Sequence, residues 1–114
     1  MDSQNMIGRL WHGWTTRANA DAYEDLLRNN VLPGIAAKDV AGYRGARLLR
    51  RDNGPDEVEF LTLLSFESLD AVKQFAGADY EHAYVPAAAR ELLSRFDERS
   101  QHYEIRIGEE ETLP

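Results

Sequence analysis

The chain carries three histidines, His12, His82 and His102, the side chains best suited to take or give a proton near neutral pH. His12 lies in IGRLWHGWT between Trp11 and Trp14, and His102 lies in SQHYEI beside Tyr103. If these two segments are neighbouring strands with Trp11 opposite Tyr103, then Ile7 falls opposite Ile107 and His12 opposite His102. Cross-strand neighbours sit about 4.5–5.5 Å apart at Cβ, so the two imidazoles would share a proton or a ligand. Such a pair could serve as a general base. The competing reading is structural, with paired imidazoles and indoles packing inside an interface. His82, in DYEHAYV, is either a solvated helix position, a haem ligand or a base on a lid. Trp11, Trp14, Tyr80, Tyr84 and Tyr103 could wall a pocket for a flat aromatic ligand, although aromatic residues on strands and helices more often form ordinary core. The histidines and carboxylates show no His-x-x-x-His spacing, so no metal site is expected. Gly42-Tyr43-Arg44-Gly45 lacks the spacing of a phosphate-binding loop.

The elements that must hold these residues follow from periodicity. Ile7–Thr15 reads as a first strand, with Ile7, Arg9, Trp11 and Gly13 on one face and Leu10, His12 and Trp14 on the other. A turn over Thr15–Asn19 leads to a helix capped by Asn19, with Tyr23, Leu26, Leu27, Val31 and Ile35 on its apolar side, and Pro33-Gly34 should end or kink it near Leu32. Tyr43–Arg51 is a second strand. Asn53-Gly54-Pro55 turns the chain into a third, Val58–Phe66, so the two form a hairpin. Ser68 caps a second helix that Gly77 ends. Asp79–Val85 reads as an extra helical turn, and Pro86 opens a third helical piece that runs to about Phe96. Arg99–Ile107 is the last strand.

The third strand organises the rest. Val58, Phe60, Leu64 and Phe66 share one face, broken by Thr62, while Leu61 and Leu63 lie on the other. A strand with one wet face should alternate apolar and polar residues, and this one is apolar on both faces over its middle. Helices from a chain of this length can cover only one face of a sheet. The second is expected to meet another copy of the chain, as large apolar patches mark interfaces. The order strand, helix, strand, strand, helix, strand is the split βαβ pattern of an α+β, ferredoxin-like fold with a four-stranded antiparallel sheet.

Composition narrows the function. A chain of 114 residues suits one domain over 1–114, with its core at about 7–107 and an acidic tail at 108–114. With no cysteine, disulfides, thiol catalysis and iron–sulfur clusters are excluded. The net charge of −7 argues against a nucleic-acid surface, and Arg44, Arg47, Arg50 and Arg51 alternate along a strand rather than forming a phosphate-binding patch. No apolar run approaches the roughly 20 residues that span a bilayer, and the start, MDSQNM, is no signal peptide. A cytoplasmic protein is expected.

Four stretches carry a resemblance: IGRLWHG at Ile7–Gly13, GYRGARLLRR at Gly42–Arg51, SLDAVKQFAGADYE at Ser68–Glu81 and FDERSQHYEIR at Phe96–Arg106. Over about Ile7 to Arg106 the chain resembles the antibiotic-biosynthesis-monooxygenase-like group of dimeric α/β-barrel proteins. The resemblance implies a ferredoxin-like protomer, two sheets paired as a barrel in a homodimer, and a ligand cavity in each protomer. It implies an oxygenase that acts on a small aromatic or polyketide-like molecule without a cofactor. His12 and His102 would be catalytic, and Trp11, Trp14, His82, Tyr84 and Tyr103 would bind the ligand. A non-catalytic ligand-binding or stress-related barrel is the alternative. Haem-degrading members use an Asn on the first strand and a Trp on the third, and this chain has neither; His82 could stand in for their helix His.

Overall fold

The computed structural model describes residues 6–108. The acidic tail expected from residue 108 falls, apart from Gly108, outside them. The elements are β1 (Met6–Thr15), α1 (Arg17–Leu26), α2 (Leu32–Ala37), β2 (Tyr43–Asp52), β3 (Val58–Phe66), α3 (Leu69–Ala76), α4 (Ala87–Leu92), β4 (Leu93–Phe96) and β5 (Gln101–Ile105). A π-helical turn, Leu27–Val31, joins α1 to α2. The sheet is antiparallel, ordered β2-β3-β1, with β4 and β5 sharing the outer edge of β1. This is the expected α+β, ferredoxin-like arrangement with five strands in place of four.

The extra strand corrects the reading of the chain near its end. The third helical piece stops at Leu92, and Leu93 turns to extended backbone at φ −81°, ψ 136°. β5 pairs only with Met6–Leu10, which leaves the edge groups of Gly13–Thr15 open, and Leu93–Phe96 takes them. Asp79–Val85 is not helical either. Its backbone is clasped to the turn before β5: Ala83 N donates to Glu98 O, Ser100 N donates to Glu81 O, and His82 bridges Arg99.

Pro33 does not break the first helix. In the π turn Leu32 N already reaches back five residues to Leu27 O, and proline then occupies the opening turn of α2, where a missing donor costs little. Thr16, not Asn19, is the N-cap; its hydroxyl accepts from Asn19 N. The second cap is as expected, with Ser68 accepting from Ala71 N and Gly77 ending α3 at φ +90°.

The helices cover one face of the sheet, where Val58, Phe60, Leu64 and Phe66 are at most 5% exposed. The core on this side is divided. One cluster gathers Tyr23, Leu27, Val58, Phe60 and Val85; the other gathers Leu64, Phe66, Ala71 and Val72. On the sheet's second face Leu10, Leu61 and Leu63 are half-buried and Leu49 is exposed.

Candidate functional site

Between the two core clusters lies an open cavity of about 730 Å³, bounded by the sheet, the α1–α2 rod, α3 and the chain from His82 to Ala89. Its floor is the middle of the sheet, where Trp11 on β1 pairs with Thr62 on β3. Thr62 is the one polar break in the helix-facing side of β3, and it falls where packing gives way to space. Trp11 is fixed at both ends. Its Nε1 donates to Asp97 O at 2.7 Å, and its ring lies against Phe96 and over Gly13, where a Cβ would stand 3.1 Å from the indole.

The charge at this floor is Arg9. It follows the same face of β1 as Trp11, so its guanidinium is carried under the helices and is 7% exposed. Nη1 donates to Tyr80 O and contacts His102 Nε2 at 3.0 Å, while Nη2 donates to His82 O at 3.3 Å. The cation also lies 5.7 Å from the Phe75 ring centroid. Among the described residues no carboxylate pairs with it. Burial without a counter-charge lowers the guanidinium's pKa from its ordinary value. Sequence reasoning passed over Arg9, although one signal was present: a lone charge on the otherwise apolar side of a central strand.

His102 pairs with Arg9 across the β1–β5 ladder. Arginine only donates, so Nε2 accepts and the proton of the neutral ring rests on Nδ1, which is buried without a partner among the described residues. Burial lowers the His102 pKa, and the charge of Arg9 lowers it further, against a smaller upward pull from Glu81. Its ring meets Tyr80 edge-on at 5.2 Å.

The expected pairing of His12 with His102 is corrected. Tyr103 lies opposite Gly8 instead of Trp11, a slip of three residues. An odd slip exchanges the faces of a strand. His102 therefore joins Arg9 and Trp11 under the helices, while His12 stays on the second face. There its Nδ1 is 3.2 Å from Asp97 Oδ2, off the line of a hydrogen bond, and its Nε2 is 3.6 Å from Glu59 Oε2. It stacks on Trp14 at 5.6 Å, and Arg95 covers the Trp14 ring at 3.9 Å.

The five residues expected to bind a ligand divide the same way. Trp11, His82 and Tyr84 line the cavity, Tyr84 being 83% exposed. Trp14 does not line it, and Tyr103, opposite Gly8 and 56% exposed, belongs to the second face. Among the described residues no cluster of His, Asp and Glu is placed to hold a metal ion, and no helix is long and apolar enough to cross a membrane.

No family model matches the chain, and no curated protein matches it either. Solved structures do. A candidate antibiotic biosynthesis monooxygenase from Bacillus cereus superposes with a TM-score of 0.63 at 14% identity, over 92% of this chain and 97% of that one. A second candidate of the same description, from Nitrosomonas europaea, gives 0.63 at 8% identity, over 93% and 95%. SnoaB, a cofactor-independent oxygenase from Streptomyces nogalater, gives 0.60 at 13% identity, over 94% and 99%. The chain has the fold of the antibiotic biosynthesis monooxygenases, and identities this low speak to the fold alone.

Proposed function

We propose that the protein is a cofactor-independent monooxygenase that binds a small, flat aromatic or polyketide-like phenol in the cavity between sheet and helices. The observation that carries this reading is the cavity itself. It is roomy, floored by an anchored indole and walled mainly by apolar side chains, with a few polar groups at fixed points, which is the usual make-up of a small-molecule site. The fold shared with SnoaB supports the reaction class.

In this reading His82, an exposed residue of the cavity lining, takes the phenol proton. The electron-rich anion gives an electron to oxygen, and the two radicals combine as a peroxide on the ring. Loss of water from that peroxide leaves a quinone, so one phenol and one O2 become one quinone and one water. The protein supplies orientation, a dry apolar wall and the Arg9 cation beside the developing negative charge. His102 acts as a positioning residue that holds Arg9. His12 lies outside the cavity, and its carboxylate-flanked ring belongs to the second face.

That second face is proposed to pack on its counterpart in a two-fold homodimer. Leu10, Leu49, Leu61 and Leu63 place an apolar patch at the sheet's centre that the protomer leaves partly uncovered.

Oxygen uptake with two- and three-ring phenols tests the reaction. Consumption above the buffer rate, lost in His82→Gln, is expected. Equal rates for wild type, His82→Gln and buffer across such phenols would overturn the enzymatic reading and leave a binding protein.

A further inference from the structure

The charge around the cavity is at odds with the charge of the whole chain. The protein carries 20 acidic residues against 13 basic ones. Among the described residues none that lines the cavity is Asp or Glu, yet Arg9 and Lys38 both line it. Both cations approach the same ring, Arg9 at 5.7 Å and Lys38 at 4.8 Å from the centroid of Phe75. Lys38 is exposed at the end of α2, while Arg9 is buried in the floor.

A buried cation without a counter-ion is costly, and natural sites seldom keep one unless something pairs with it. Among the described residues Arg9 is held in place by neutral acceptors only, the carbonyls of Tyr80 and His82 and the His102 ring. Those contacts orient the guanidinium and leave its charge uncompensated. They also occupy Nη1 and part of Nη2, so the Nε hydrogen and one Nη2 hydrogen have no partner among the described residues. Nε and Nη2 form one of the two edges of the planar fork that match the two oxygens of a carboxylate.

We infer that the cavity's ligand is an aromatic carboxylic acid, bound as its anion with the carboxylate on Arg9 and the ring system over Trp11 and Phe75. The inference rests on the reading of this cavity as the ligand site and names the substrate class more narrowly: a flat phenol that also bears a carboxylate. Lys38, at the exposed end of α2, adds attraction for the same charge as the ligand enters.

Isothermal titration of the intact protein with three probes sharing one ring system tests this: 2-naphthoate, its neutral methyl ester and 2-naphthol, at about pH 7.5. The acid is expected to bind at least about tenfold tighter than either neutral probe, as a charge-assisted bidentate contact requires. The preference should persist at high salt, because the pair at Arg9 is buried. Arg9→Gln should bring the acid down to the affinity of the ester while leaving the ester close to its wild-type value, and Arg9→Lys should restore part of the preference. Equal binding of acid and ester by the wild type, or tighter binding of 2-naphthol, overturns the carboxylate assignment and leaves the aromatic cavity standing. Failure of all three probes to bind overturns both. A preference that survives in Arg9→Gln overturns the role of Arg9. Should Arg9→Gln not fold, the wild-type ratio of acid to ester decides alone.

Discussion

Arg9 Nη1 lies 3.0 Å from His102 Nε2, so a cation that can only donate rests against an imidazole that can accept only while neutral. Folding thus holds the His102 pKa below its ordinary value of 6.5, first by burial and then by the charge of Arg9. On acidification the unfolded chain takes up this proton first. The stability tied to the neutral ring is therefore complete above about pH 6.5 and declines as the pH falls through it. Melting temperatures between about pH 7.5 and 5.5 should fall in the wild type and fall less in His102→Gln. Glu24, held below its ordinary 4.5 by Arg50 and Arg28, contributes above about pH 4.5, so its loss comes in a lower window. Parallel wild-type and variant curves would contradict the assignment.

The second face of the sheet predicts a dimer. Leu61 and Leu63 lie beside Leu10 and Leu49 on that face, and a charge among them would have to be desolvated on assembly. Leu61→Glu should give monomers that aggregate or fail to fold, whereas the wild type should sediment as a dimer burying more than roughly 2,000 Å². A well-folded wild-type monomer at micromolar concentration would refute the pairing.

Gly13 leaves room on β1 for the indole of the cavity floor. A Cβ there would stand 2.9 Å from Leu93 Cδ2 and 3.1 Å from Trp11 Cζ3. Gly13→Val should therefore displace Trp11 from its bond to Asp97 O and cost about 1–3 kcal/mol of stability, read by denaturant melts. An unchanged midpoint would show that the floor yields more easily than its contacts imply.

Much of the fold was legible because its signals are local. The bounds of β3, the Ser68 cap and the Gly77 stop each follow from a few neighbouring residues, and each stands as expected. The site was less legible because it depends on register. Alternation along β1 and β5 is equally compatible with several pairings, and a three-residue slip decides whether His102 faces His12 or Arg9. The split edge of β1 was hidden for a related reason: Leu93–Phe96 follows a helical pattern closely enough to be read as its last turn, and only the open edge of Gly13–Thr15 makes it a strand. His82 stands out in the sequence as a histidine among acidic and aromatic neighbours, but its place in the cavity lining comes from the backbone clasp to Glu98–Ser100, which no local pattern announces.

The chain's two tryptophans lie on opposite faces of β1, and only Trp11 lines the cavity. Trp14→Phe leaves Trp11 as the sole indole reporter, and Trp11→Phe leaves Trp14. Titration of both variants with 2-naphthoate and with its methyl ester, followed by tryptophan emission, locates the bound ring directly. A saturable change of emission is expected in Trp14→Phe with at least one of the two probes, and none in Trp11→Phe with either. A saturable change confined to Trp11→Phe, or none in Trp14→Phe with both probes, would contradict a ligand site between the sheet and the helices.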